Sequence, residues 1–381
     1  MRQKHIAFCL AEAYGHIVPT LGIALELQSR GHHVSYAVTK DFEIPLTRIG
    51  VQPVILDFLD TRSHICRFAQ KENGTYDFSS NPQLDALIER LKCARTADSL
   101  SKLERAYEEH RPDIIIHDDC FDTAGRDLAS KWGIPKIRHW PMLWSNDWYN
   151  WFNSDSQIII SLPKFLIDES AMYDDRFHFV GFVPEGRKEF FEPWTTELHD
   201  EPTIVVSSTT GLLPQVEFCK LMIDAFGNQP WRIVLSAGGK HDPLTEVRSE
   251  SFKTLPDNFR FNHASSTFEI MKGASLFVGQ GQQGSPLEAL YCGVPILTIP
   301  TSPVWYDTLG RRLEHLGVGS RLALSGDVVK DAQAIRLAAK FVMHDPEIRR
   351  HVRLAQGRMH QDTGAKTAAD LICSHLETEN A

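Results

Sequence analysis

A histidine and an aspartate are the residues best suited to move a proton. His16 stands in the segment A-E-A-Y-G-H-I-V-P, between a strand-like run and the first helical pattern. Because the N-terminus of a helix disfavours a cation, we expect this imidazole to stay neutral and to act as a base near pH 7. Asp118 ends the run D-I-I-I-H-D and is placed to orient the imidazole by accepting a hydrogen bond from it. Packing for His16 and helix capping for Asp118 are the structural alternatives.

A glycine-rich segment is suited to hold a phosphate or diphosphate. The residues G-Q-G-Q-Q-G-S-P-L-E-A-L run from Gly279 to Leu290, directly after a strand-like stretch. Gly281 and Gly284 let backbone N–H groups approach an anion, and a helix that begins near Ser285 adds partial positive charge. The segment has neither the lysine of a P-loop nor the context of a dinucleotide fingerprint. A glycine turn that serves only packing stays open as the alternative.

Three hydroxyls form a second candidate for phosphate binding. The segment S-S-T-T-G follows another strand-like run and contributes Ser207, Ser208 and Thr209. These side chains would hydrogen-bond the same phosphates, or they would form a local turn or a helix cap.

Four of the eight tryptophans fall in one short segment, from His139 to Phe152. Ligand pockets combine aromatic lining with a few polar groups, so the segment predicts a wall for a flat or apolar molecule. A small satellite core under a loop is the alternative. The tryptophans in question are Trp140, Trp144, Trp148 and Trp151.

Composition excludes several classes of protein. Lysine and arginine number 40 against 49 acidic residues, for a net charge of −9, so the chain lacks the basic surface of a nucleic-acid-binding protein. No apolar run approaches the roughly 20 residues needed to cross a bilayer, and we expect no membrane span and a cytoplasmic protein. The seven cysteines are odd in number and include no C-x-x-C pair, which favours free thiols.

The elements that must position these residues alternate between strand and helix. The first series of strand-like runs is HIAFCLA, HHVSYAVT, DIIIHD, PKIRHW, IIIS and FHFVGFV, and a long helical stretch covers about Pro82 to His110. The second series is TIVVSST, WRIVLSAG, SLFVGQG and VPILTIP, followed by helices from about Val328 onwards. This alternation predicts an α/β protein of two doubly wound, Rossmann-like domains. Ligands of such sheets lie beyond the carboxyl ends of the strands, where all the candidate residues fall.

The segment P-E-G-R-K-E-F-F-E-P-W-T-T-E-L-H-D-E-P breaks this alternation and is typical of a linker. We therefore predict an N-terminal domain at 1–184, a linker at 185–202 and a C-terminal domain at 203–360. Residues 361–381 are expected to form a C-terminal helix that packs back on the N-terminal domain.

Several motifs together carry a resemblance to a known family. They are G-H-x-x-P at Gly15–Pro19, R-G-H-x-V-x-Y-A at Arg30–Ala37, W-G-I-P at Trp132–Pro135, G-S-x-x-E-A-L-x-x-G-V-P at Gly284–Pro295, and L-G-V-G at Leu316–Gly319. With these motifs the chain resembles the family 1 glycosyltransferases of the GT-B fold, in particular the bacterial macrolide and antibiotic glycosyltransferases. The resemblance covers nearly the whole chain and implies two facing domains, the first for the acceptor and the second for a nucleotide sugar.

The resemblance also implies roles for single residues. His16 matches the general base that deprotonates the acceptor hydroxyl, and Asp118 matches its acidic partner. The donor diphosphate would lie on Gly281, Gly284 and Ser285. Glu288 would bind the ribose. The implied reaction is an inverting displacement on a UDP- or dTDP-sugar by a small natural product, with no metal and no other cofactor; oligomeric state is left open.

The donor side departs from the family pattern. Gln280 and Gln282 flank Gly281 where the family has H-G-G, and Asp307 is the nearest carboxylate to the expected sugar-reading pair, which falls at Val304 and Trp305. An unusual sugar donor would fit an altered site of this kind. The alternative is a catalytically degenerate homologue that acts as a binding or auxiliary protein.

Overall fold

The computed structural model describes residues 2–61, 64–65, 82–143, 157–167, 173–194, 201–208, 215–237, 255–262, 265–300 and 307–378. The chain divides into two compact units. The first comprises Met1–Met142, Asn146–Phe190 and Thr363–Ala381, and the second comprises Leu143–Ser145 and Phe191–Asp362. The predicted tryptophans Trp144, Trp148 and Trp151 and the predicted hydroxyl of Thr209 lie outside the described residues.

The described part of the first unit contains one parallel sheet of seven strands, in the order β3-β2-β1-β4-β5-β6-β7. Its central strands are apolar runs buried on both faces, as a parallel sheet covered by helices requires. The strands are β1 (His5–Cys9), β2 (His33–Val38), β3 (Gln52–Ile55), β4 (Ile114–His117), β5 (Lys136–Trp140), β6 (Ile158–Ile160) and β7 (Phe177–Phe179).

Helices connect these strands and cover the sheet. They are α1 (Tyr14–Ile17), α2 (Leu21–Ser29), α3 (Glu43–Arg48), α4 (Pro82–Tyr107), α5 (Ala124–Trp132) and α6 (Arg187–Phe190). Helix α5 ends where Gly133 takes the left-handed conformation, with φ of 65°, which glycine adopts without steric cost.

The second unit is built around a parallel sheet of order β10-β9-β8-β11-β12-β13 in its described part. Its strands are β8 (Thr203–Ser208), β9 (Arg232–Ala237), β10 (Phe259–Asn262), β11 (Leu276–Gly279), β12 (Ile296–Thr298) and β13 (Gly319–Arg321). Its helices are α7 (Gln215–Phe226), α8 (Thr267–Met271), α9 (Gly284–Tyr291), α10 (Asp307–His315), α11 (Val328–His344) and α12 (Pro346–Met359). The last helix, α13 (Gly364–Thr378), belongs to the first unit and packs on α2.

Two doubly wound α/β units confirm the predicted fold class. The structure adds three strands that the sequence patterns did not reveal, β3, β10 and β13, and it shortens β7 to three residues. All four lie at the edges of their sheets, where one side of a strand is not paired. Such strands need no continuous apolar run, so the pattern that identified the central strands could not identify them. Within the described residues, no helix is both long and apolar enough to span a membrane.

Candidate functional site

The imidazole of His16 lies at the carboxyl edge of the first sheet. The chain leaves β1 at Cys9, and His16 falls in the single-turn helix α1, where it is buried. Its Nδ1 lies 2.9 Å from Oδ2 of Asp118. Since an ionised carboxylate only accepts, Nδ1 carries the hydrogen, and the other ring nitrogen can accept a substrate proton only when the imidazole is neutral.

The carboxylate of Asp118 is oriented by three donors. Asp118 follows β4, which pairs directly with β1, so the two loops emerge side by side from neighbouring strand ends. Besides His16, the backbone N–H of Ala11 donates to Oδ2 and that of Cys120 donates to Oδ1, each at 3.1 Å. The next helix, α5, begins with Thr123 at its N-cap position. Asp118 therefore orients the imidazole and does not cap the helix.

His16 and Asp118 each favour the charged form of the other. Burial opposes charge on the imidazole, but the carboxylate of Asp118 and the side chain of Cys120 outweigh it and hold the pKa of His16 well above its usual range. Burial likewise opposes charge on Asp118, and His16 with the two backbone N–H groups keeps the pKa of this carboxyl below its usual value. The expectation that the helix dipole keeps His16 neutral is wrong, because a four-residue helix cannot compete with a carboxylate at 2.9 Å.

A second histidine near this pair was missed by the sequence analysis. His139 on β5 is fully buried, and its Nε2 lies 2.8 Å from Oγ of Ser161. Burial is the main reason why the pKa of His139 is lowered to about 3. Asp118 opposes this shift and His16 adds to it, so this imidazole is neutral. The sequence signal was the polar pair Arg138 and His139 inside a strand of a parallel sheet, where apolar residues are the norm.

Asp119 anchors the β4 loop to the sheet beneath it. It accepts hydrogen bonds from Arg138 at 2.6 Å, from Arg126 at 2.7 Å and from Nδ1 of His117 at 3.1 Å. Burial would raise the pKa of Asp119, but these partners lower it to about 2. A buried carboxylate with three donors fixes the backbone on which the neighbouring Asp118 stands.

The glycine-rich loop of the second unit brings five of the predicted donor residues together. Gly281 has a φ of 97°, which permits the turn between β11 and α9. The side chain of Gln282 folds back into the loop, where it accepts from the N–H of Gln280 at 3.0 Å and donates to the carbonyl of Ser207 at 2.9 Å. Oγ of Ser285 lies 3.5 Å from Oγ of Ser207. The loop and the end of β8 thus form one polar surface.

The start of α9 is open in the described structure. Gln283 stands at the N-cap position and supplies no capping hydrogen bond from its side chain. A Cβ built on Gly284 would meet no described atom within 4 Å. At the end of β8, Oγ of Ser208 is buried and has no hydrogen-bond partner among the described residues. An uncapped helix start and an unsatisfied hydroxyl are each features that suit an anion.

Other predicted site residues are placed as follows. Glu288 lies in the second turn of α9 and is buried. Asp307 is the first residue of α10, and its side chain lies outside the described part of the chain.

Two predicted ligand contacts are wrong. Trp140 is the last residue of β5 and has no exposed surface, so it is a core residue and not part of an acceptor wall. Gln280 is also fully buried, and its backbone N–H donates to the side chain of Gln282. Neither the side chain nor this N–H is therefore available to a nucleotide sugar.

In the part of the chain that the structure describes, no three His, Cys, Asp or Glu side chains are arranged so that they could hold a metal ion. That the reaction needs no metal stays a prediction.

Known proteins similar to this chain are glycosyltransferases. No protein-family profile matches it. The chain is 28% identical over 414 residues to the NDP-glycosyltransferase YjiC of Bacillus licheniformis, across 99% of this chain and 98% of that protein. It is 28% identical over 411 residues to the demethyllactenocin mycarosyltransferase of Streptomyces fradiae, across 97% of this chain and 86% of that protein. Among solved structures, the calicheamicin glycosyltransferase CalG4 is 25% identical and superposes with a TM-score of 0.74 over 99% of each chain.

These similarities span both units. The fold is that of the GT-B glycosyltransferases, and the relatives support an enzyme that transfers a glycosyl group.

Proposed function

We propose that this chain, a glycosyltransferase by its relatives and its GT-B fold, moves a sugar with inversion from a UDP- or dTDP-sugar to a hydroxyl of an aromatic or apolar natural product. The observation that carries the proposal is the buried pair of His16 and Asp118, joined at 2.9 Å. A hydroxyl needs a base to become a nucleophile at neutral pH, and an imidazole held by a carboxylate is the arrangement that supplies one.

In the proposed step the acceptor oxygen attacks the anomeric carbon of the sugar. A carbon–oxygen bond forms on one face while the bond from that carbon to the diphosphate oxygen breaks on the other, so the configuration inverts. The acceptor proton passes to the free nitrogen of His16, and the electron pair of the broken bond leaves with the nucleoside diphosphate. Asp118 stabilises the imidazolium that results.

The raised pKa of His16 sets a condition on this step. Only the neutral imidazole can accept a proton, yet Asp118 holds the pKa of His16 well above its usual range, after burial is overcome. Turnover should therefore rise with pH as His16 loses its proton, and it should fall as pH drops through the raised pKa.

We place the donor at the second unit. The uncapped start of α9 and the hydroxyls of Ser207, Ser208 and Ser285 would bind the diphosphate, with backbone N–H groups that stabilise its charge as the bond breaks. Glu288 would bind the ribose and Asp307 the sugar hydroxyls. A relative named as an NDP-glycosyltransferase, similar over 99% of this chain, supports a nucleoside diphosphate donor.

A degenerate homologue that only binds small molecules is not favoured. The relatives are named as glycosyltransferases, and the base with its orienting carboxylate is assembled. We extend the proposal to a cytoplasmic enzyme that needs no metal.

The test separates binding from transfer. UDP and dTDP are added to the wild-type chain and to His16→Ala in a thermal shift assay, and turnover is followed by mass spectrometry with a panel of hydroxylated aromatic and polyketide acceptors. A ligand that binds the native state raises its stability by RT ln(1 + [L]/Kd), so both proteins should shift alike with the right nucleotide. Loss of the base should lower kcat by about 10²- to 10⁴-fold.

The control is His33→Gln. His33 begins β2, so it lies at the amino edge of the sheet, away from the loops that carry the pair, and full activity is expected. Undiminished transfer by His16→Ala would refute the role of His16. If neither UDP nor dTDP raises the melting temperature, the proposed nucleoside diphosphate donor is refuted.

A further inference from the structure

One face of α4 is polar and lies against the loops of the His16–Asp118 pair. The residues on this face are spaced i, i+3, i+4 and i+7, which places them on one side of a helix. Lys92 donates to the carbonyl of Asp119 at 3.3 Å, Thr96 accepts from the N–H of Thr123 at 3.3 Å, and Ser99 donates to Asp122 at 3.0 Å. Arg95 is the fourth member of the face.

Arg95 connects three loops with its three nitrogens. Nη2 donates to both carboxylate oxygens of Glu12, at 2.7 Å to Oε1. Nε donates to Oδ2 of Asp122 at 3.0 Å, and Nη1 donates to the carbonyl of Leu59 at 2.7 Å. Only 5% of the residue is exposed, so these bonds form out of water, where charge-assisted hydrogen bonds are strong and leaving one unmade is costly.

Two of these loops carry the reacting pair. Glu12 follows Ala11, whose N–H donates to Asp118, and it precedes His16 by four residues. Asp122 lies four residues after Asp118 and also accepts from the N–H of Ala124 at the start of α5. Between them, the ring of Phe121 lies 5.6 Å from the guanidinium carbon of Arg95 and 6.2 Å from the ring of His16.

We propose that Arg95 is a positioning residue, which sets the placement of His16 against Asp118 by holding the loops after β1 and β4 on a single guanidinium. The inference rests on the proposed role of His16 as the base. A lysine cannot replace this group, because an ammonium is a point charge on a flexible stem and does not reach three acceptors in fixed directions. The hydrogen bonds described for the side chains of Glu12 and Asp122 go to groups other than His16 and Asp118, so Arg95 acts on the pair through the backbone of the two loops.

The chain offers a matched control in Arg30. Arg30 also pairs with two carboxylates, Glu26 at 2.8 Å and Asp370 at 2.7 Å, and it joins α2 to α13. It stands at the C-cap of α2 and not on the loops of the pair, so Arg30→Lys measures what the loss of a bridging guanidinium does to stability alone.

The experiment compares Arg95→Lys, Arg30→Lys and Glu12→Gln with the full-length wild-type chain. We expect Arg95→Lys to lower kcat by about 10- to 100-fold, since a misplacement of about 1 Å costs a catalytic group that much. KM for the nucleotide sugar should stay within about twofold, because the donor is assigned to the second unit. Arg30→Lys should keep kcat even if it lowers Tm.

A second readout does not depend on turnover. In histidine-labelled protein, the NMR signal of His16 is identified by its loss in His16→Ala, and its titration is followed. The charged and titratable groups that face His16 are Asp118, Cys120 and His139. A loosened contact with Asp118 should move the titration midpoint of His16 to lower pH in Arg95→Lys and leave it in place in Arg30→Lys.

The outcomes separate this inference from the proposed function. A folded Arg95→Lys with wild-type kcat and an unmoved His16 midpoint would overturn it. If Arg95→Lys does not fold, Glu12→Gln decides the same question, because it removes one tether and leaves Arg95 bound to Asp122. If His16→Ala keeps full turnover, the proposed base is wrong, and the His16 midpoint alone then decides whether Arg95 positions the pair.

Discussion

Replacing Asp118 with asparagine isolates the charge of the carboxylate, because asparagine keeps the size of the side chain and an oxygen that can accept. At the roughly 4 Å charge separation of a contact ion pair, an effective dielectric constant of about 20 gives about 4 kcal/mol between Asp118 and a charged His16. At about 1.4 kcal/mol for each factor of ten, a fully formed imidazolium in the transition state would lose about 10³-fold in rate. The proton is only partly transferred at that point, so we expect kcat/KM of Asp118→Asn to fall between about 10- and 1000-fold.

Asp118→Asn should also shift the pH profile of activity. In the wild-type chain, activity falls as pH drops through the raised pKa of His16, which Asp118 maintains against burial. Without the carboxylate this pKa falls, so the acid limb of kcat/KM for Asp118→Asn moves to lower pH. The deficit of the variant should therefore be largest at high pH and shrink as pH decreases.

The assay is kcat/KM for sugar transfer, measured across pH for the wild-type chain, Asp118→Asn and the control Asp113→Asn. Asp113 lies just before β4, at the opposite end of the strand, where it accepts from Lys4 and from the N–H of His5. An acid limb that stays in place in Asp118→Asn would refute the assigned coupling. Equal losses in both variants would show that the effect is one of folding and not of the pair.

Two further predictions concern the donor loop and the buried second histidine. Gly284→Ala should leave the fold intact, because a Cβ there meets no described atom within 4 Å, and it serves as the reference variant. Gly284→Glu adds a negative charge at the start of α9 and should bind UDP or dTDP about 10-fold more weakly than Gly284→Ala in calorimetry; equal affinities of the two variants would contradict an anion site. His139, with a pKa of about 3 caused by burial, is neutral in the fold, so its contribution to stability is complete above the unfolded value of 6.5 and is lost as pH falls toward 3. His139→Asn should remove this pH dependence from the free energy of unfolding measured in urea, which amounts to a difference on the order of 5 kcal/mol at the acid end of the window. If the free energy of unfolding of the variant depends on pH as that of the wild-type chain does, the assignment is contradicted.

The sequence predicted the central architecture and the reacting pair for the same physical reason. Strands buried on both faces must be apolar throughout, so β1 and β4 were visible as runs, and the residues that follow parallel strands meet at one edge of the sheet. His16 and Asp118 are 102 residues apart, yet they were expected together and lie 2.9 Å from each other.

Other features depend on contacts that no local pattern reports. Arg95 is 83 residues from Glu12, and it belongs to a helix with many charged residues. Nothing in the sequence distinguishes Arg95 from the others, so its role became visible only when the loops were placed. The aromatic content of the segment after β5 suggested a pocket wall, but whether a given ring such as Trp140 faces a ligand or the core depends on where the strand ends. The charge of His16 was misjudged because the dipole of a helix was weighed without the distance to the carboxylate.

The position of α13 has a consequence for the order in which the protein can be completed during synthesis. Ala368, Ala369 and Ile372 of this helix have no exposed surface, and they belong to a unit whose other residues end at Phe190. On the ribosome, the first half of the chain must therefore wait with an uncovered apolar face on α2 until the second half has been translated. A gene split after residue 190 would yield a complete first unit only if residues 363–378 were supplied with it, either as a fused extension or as a separate peptide.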